Sequence, residues 1–177
     1  MQQLISRLLA RHDPRTNLVM HLKAAAGAMF GVTLVGGLAA LTSLPLLMAP
    51  LGPTSVLMFA QPSNASAQPA NVFGGYFIAA VFGAAAELLM PGVWWAATLA
   101  VGLAMALMLV LRVTHPPAAA VPLVLLASPM EPLVLFGIMF ASCLLLVAIA
   151  ILHHRLPPRS VYPHILAAEE PADEDGD

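Results

Sequence analysis

The sequence predicts an all-α membrane protein built from two repeats, each a long helix, a proline-broken segment and a second long helix. Three observations predict it. Hydrophobic residues make up 60% of the 177 residues and charged residues only 9%, against about 25% charged in a soluble domain. Four apolar runs are long enough to cross a hydrocarbon core, which takes about 20 helical residues. Two segments drawing on the chain's 16 prolines interrupt them at corresponding places in the two halves. A net charge of -2 gives no electrostatic footprint for nucleic acid, and the expected surroundings are a lipid bilayer.

Residues 1–23 read as a cytoplasmic or interfacial segment. Leu4, Ile5, Leu8 and Leu9 share one helical face, with Arg7 and Arg11 off it. That is the pattern of a helix lying in the membrane interface, and a frayed basic tail fits it equally well. The membrane domain spans 24–153. Its first run, Ala24 to Leu44, exceeds the roughly 7–15 apolar residues of a signal peptide and reads as a retained helix. Gly27 and Gly31 give it a small-residue surface for close helix contact.

Pro45, Pro50 and Pro53 then forbid a continuous helix. Thr54 or Ser55 is expected to cap a short helix ending near Ala60. Gln61 to Asn71 is polar and uncharged, a loop. The second run, Val72 to Met90, carries Gly74, Gly75 and Gly83, with Glu87 near its end as an interfacial carboxylate. Pro91-Gly92 makes a turn. The third run, Val93 to Leu111, opens with Trp94 and Trp95, which suit the headgroup level, and Arg112 closes it.

Residues 114–118 read THPPA. Pro116 and Pro117 cannot continue the preceding helix but suit the first turn of a new one, expected from about Pro117 to Ala127. Pro129 and Pro132 end it. The last run, Leu133 to Leu152, exits into His153-His154, which read as interface residues rather than a metal pair. Cys143 reads as a small core residue. The tail, 154–177, reads as cytoplasmic, with its acidic end from Glu169 to Asp177 disordered.

The broken segments either cross the membrane or dip in and return. At about 3.3 Å per extended residue and 1.5 Å per helical residue, both reach across a core of about 30 Å. Crossing gives six spans and inverted halves, and puts Arg112 on the same side as Arg7, Arg11, Arg15, Lys23, Arg155 and Arg159. Re-entrance gives four spans and leaves Arg112 outside. The positive-inside tendency favours crossing, with both termini cytoplasmic.

Broken helices in matching positions point to a transport site. A helix N-terminus carries about half a positive charge and free N–H groups, so two of them facing each other suit an anion. The candidate binding residues are Thr54, Ser55, Thr114, His115, Ala118 and Ala119. Gly52, Pro53, Pro116 and Pro117 shape the site. Gln61, Gln68, Asn71 and Arg112 line a mouth. No metal, cofactor or catalytic constellation is expected: there is no nucleophile elbow, Walker loop, CxxC or HExxH, and no usefully spaced pair of carboxylates.

Two stretches, His115-Pro116-Pro117 and LGPTSVLMFAQPSNASAQPANVFGG from Leu51 to Gly75, resemble the HPP family of integral membrane proteins. The resemblance covers about Lys23 to Leu152. It implies four transmembrane helices, counting only the long runs. It also implies transport of nitrite, to which chloroplast and cyanobacterial members are linked. The expected function is passage of a small inorganic anion, nitrite foremost, in a bacterial inner membrane. Small-residue steps permit a homo-oligomer. A membrane scaffold, or an enzyme acting on a lipid or quinone with His115 as base, are the alternatives.

Overall fold

A computed structural model describes residues 17–164. The interfacial helix expected around Leu4 to Arg11 and the acidic tail from Glu169 lie outside them. Among the described residues the secondary structure is all helical: six α-helices and two short 3-10 turns.

Helix α1, Leu18–Thr42, starts ahead of the apolar run because the Asn17 side chain accepts the Val19 N–H at 3.0 Å. It stops at Ser43, whose φ is 56°. Residues 44–50 are non-helical, and Leu47 packs beside Gly36. Helix α2, Leu51–Ala60, then forms. Its start corrects the expected cap at Thr54 or Ser55. Pro53 fits the first helical turn, where no N–H is needed, so both hydroxyls lie inside the helix.

The loop is shorter than expected. A 3-10 turn, Ala65–Ala67, leads into α3, Pro69–Leu89, with Pro69 at its first position. Helix α4 covers Trp94–Val110. Its end is a Schellman motif, in which Arg112 N–H bonds to Leu109 O at 3.2 Å and Val113 N–H to Met108 O at 3.0 Å. Arg112 takes the left-handed position, with φ 57°.

The second broken segment is a 3-10 turn, Pro116–Ala120, running into α5, Val121–Ala127. The expected single helix is tightened at its start for a physical reason. Pro122 has no N–H to give the Ala118 carbonyl, so that carbonyl takes the Val121 N–H instead. Helix α6 is Pro132–Arg155.

Contacts fix the direction of every element. The start of α1 meets the end of α6: a Cβ on Gly27 would lie 2.7 Å from His153 Nε2, and one on Gly31 would lie 2.9 Å from Leu146 Cδ1. The end of α2 lies there too, since His154 Nε2 donates to Met58 O at 2.8 Å. So does the start of α3, where Tyr162 donates to Ala67 O at 2.8 Å and His164 N–H to Gln68 Oε1 at 2.7 Å. Burial pushes the Tyr162 hydroxyl above its usual range, which keeps the proton it donates. The second broken segment begins beside Gly74 and Gly75 and reaches Gly83 with Pro122 and Leu125. Pro132 and Leu133 then border Leu88 at the far end. Among the described residues six successive segments thus run in alternating directions, with five reversals between them.

α1, α3 and α6 are long and apolar enough to cross a membrane. α4, at 17 residues, is about 25 Å long, held short by the Gly92 turn and the Arg112 stop. The outer surface is strongly apolar, with Leu41, Leu133 and Leu89 largely exposed. Water would penalise such a surface; lipid matches it. This is a membrane protein in contact with the bilayer.

A Cβ on Gly83 would lie 2.9 Å from Pro122 Cα and 2.6 Å from Leu125 Cδ1. Gly83→Ala should therefore destabilise the protein by about 1–3 kcal/mol. Gly102, in α4, has nothing within 4 Å of such an atom, and Gly102→Ala should stabilise by about 0.5–1 kcal/mol. Unfolding midpoints in detergent check both signs.

Candidate functional site

The two broken segments meet through their first turns. Thr54 is in the opening turn of α2, and His115 is the residue that precedes the Pro116 turn. Thr54 Oγ1 and His115 Nε2 are 2.8 Å apart, and both residues are fully buried. His115 lies against Gly75, where an added Cβ would sit 2.6 Å from His115 Cβ. Glycine at that position is what lets the segment come this close to α3. The contact is about 9 Å along α3 from its start.

The protons can be assigned by elimination. His115 Nδ1 lies 2.7 Å from the Ser66 carbonyl, which only accepts, so Nδ1 carries hydrogen. In the neutral ring Nε2 then accepts, and Thr54 donates to it. Thr54 Oγ1 in turn accepts from Tyr76, whose hydroxyl is 2.9 Å away. The run is Tyr76 to Thr54 to His115 to Ser66 carbonyl, with each hydrogen used once. It is fully satisfied without any charge, as burial in an apolar region demands.

The other candidate residues divide. Ser55 is buried, but its hydroxyl turns back to Gly52 O at 2.7 Å. The Thr114 hydroxyl reaches Met108 O at 3.5 Å, and the Thr114 carbonyl accepts from Asn71 at 3.2 Å. Ala118 is buried beside Gly75, and Ala119 is half-buried. Gly52, Pro53 and Pro116 are exposed on the outer face, while Pro117 is buried. Gln68 is buried and pins the loop, donating to Pro62 O at 2.8 Å and Asn64 O at 3.0 Å. Gln61 is exposed and accepts from Asn64 at 3.2 Å. Arg112 is exposed at the end of α4. So Thr54, His115, Thr114 and Asn71 gather around one region, whereas Gln61 and Gln68 belong to the loop at the end where α1 starts and α6 finishes.

The chain matches the family model for the HPP transmembrane region over residues 13–163, which include both broken segments. It belongs to the HPP family. Neither the curated proteins nor the solved structures give a significant match.

Sequence reasoning missed two features of this HPP protein. Tyr76 is fully buried and completes the polar run. Its signal was a lone phenol inside an otherwise apolar helix, a group that must find a partner when buried. His154 is also buried, bonded to Met58 O and to Ser160 Oγ at 2.6 Å. It is an internal clasp between α2 and the segment after α6, which corrects its reading as an interface residue.

Thr54→Val leaves His115 Nε2 without a partner and Tyr76 Oη with only the weak Cys143 contact, and should cost about 1–3 kcal/mol. Tyr76→Phe leaves the Thr54–His115 bond intact and should cost about 1 kcal/mol. Nitrogen NMR of labelled His115 should find hydrogen on Nδ1 and none on Nε2.

Proposed function

We propose that this HPP protein carries a small inorganic anion, nitrite foremost, across the bilayer at the junction of its two broken segments. It acts as a transporter and not as an enzyme. The observation that carries the reading is the 2.8 Å bond between Thr54 and His115, because it joins the opening turns of two segments that run in opposite directions. On this reading the two halves are inverted repeats with six crossings, whose half-helix starts converge on one site. Their partial positive charge and N–H groups suit a monovalent anion without a buried cation.

The complete pairing of Thr54 and His115 describes a closed pathway, and passage parts them. Neutral Nε2 then presents a lone pair, which an anion avoids, while a proton there makes it a donor. The reading therefore moves a proton with the anion. The end holding Lys23, Arg112, Arg155 and Arg159 faces the cytoplasm of a bacterial inner membrane, by the positive-inside tendency.

A second reading draws on the same pairing. A fully satisfied polar run also specifies packing, as a membrane scaffold needs. Nitrite uptake into proteoliposomes with an internal pH dye separates the two, at external pH 8 and with protein-free vesicles subtracted. The transport reading expects protein-dependent uptake with acidification of the lumen, reduced at least ten-fold in His115→Ala. Absence of protein-dependent flux of nitrite, nitrate or chloride sinks it in favour of the scaffold.

A further inference from the structure

A cavity of about 670 Å³ opens where the start of α1, the end of α2 and the end of α6 come together. It lies apart from the Thr54–His115 junction and has the size of a small-molecule site. Its polar lining is His21, Lys23, Gln61, His153, His154 and Ser160, and among the described residues no carboxylate contributes. Met20, Ala24, Val56 and Phe59 give it an apolar wall.

Two of these groups have bonding capacity to spare. The Lys23 ammonium donates to Leu156 O at 2.9 Å and to Pro158 O at 2.5 Å, which uses two of its three hydrogens. Neither partner neutralises its charge. His153 Nε2 is buried and has no hydrogen-bond partner among the described residues, an unfavourable state for a buried polar atom. The ring borders the cavity, so a turn about its Cβ–Cγ bond offers Nε2 to an occupant. His154 is already committed: its Nε2 donates to Met58 O, and its Nδ1 takes the Ser160 hydroxyl hydrogen.

We propose that this cavity binds a phosphate group of net negative charge, with no tethered cation, carried on an apolar body, with Lys23 and His153 as its donors. Oxygen acceptors relieve both groups at once, and the apolar wall takes the attached hydrocarbon. A basic pocket between membrane helices is a lipid-headgroup site in chemical terms, and a soluble phosphate ester presents the same oxygens. The proposal is independent of anion transport and stands or falls without it.

The test is native mass spectrometry of the purified, delipidated full chain with short-chain phosphatidylglycerol. Phosphatidylcholine of equal chain length serves as the comparison. Phosphatidylglycerol should bind more tightly than phosphatidylcholine, and about ten-fold more weakly to His153→Phe and to Lys23→Met. His153→Phe keeps an aromatic ring against Phe59. Competition on the unaltered chain needs no variant. If glycerol 3-phosphate displaces the lipid, the site takes soluble phosphate esters as well. If it does not, while phosphatidylglycerol still outbinds phosphatidylcholine, the source is lipid. Equal binding of the two lipids, or binding unchanged in both variants, overturns the proposal.

Discussion

Everything in this molecule depends on one constraint: polar groups inside an apolar bundle must find partners within it. A helix meets that demand by itself, but a broken helix does not. The structure therefore concentrates its side-chain hydrogen bonds where the helices break. The ring of His115 ties the second broken segment to the loop before α3 through Ser66 and to the first broken segment through Thr54. One imidazole serves as the joint for three pieces of backbone that could not otherwise lie at that depth.

The same constraint explains the glycines. A bond of 2.8 Å between side chains of two segments requires their backbones to sit close to α3. Gly75 gives room for His115, and Gly83 gives room for Pro122 and Leu125. The small residues of α3 thus follow the second broken segment along its whole course. On the other side of the bundle, Gly27 and Gly31 let α1 settle on Phe59 and α6. Packing here works through close approach rather than through hydrophobic exclusion, which offers nothing between helices in lipid.

Much of this was legible in the sequence. Apolar runs gave the long helices, and prolines gave the two breaks and their neighbourhood. Thr54 and His115 were both singled out, and they meet. Element boundaries were harder: proline tolerates the first helical turn, so Pro53 hid three residues of α2, and Pro122 turned an expected α-helical start into a 3-10 turn. Tyr76 went unread because a phenol in an apolar run has no spacing signature; only the fold reveals which hydroxyl it faces. His154 was misread because a position at a helix end does not tell whether a later segment folds back over it, as Ser160 and Tyr162 do.

The contact between Gly75 and His115 bears on how two distant stretches of this chain, the one ending in Gly74-Gly75 and the one starting at His115, relate. The glycine pair closes one motif and the histidine opens the other, far apart along the chain, yet each is the reason the other works. A bulky residue at the first position would push the imidazole off its partners. A chain without the imidazole would have no need of the bare backbone opposite. The two stretches are a single lock cut into halves, because the bare backbone of one admits the imidazole of the other.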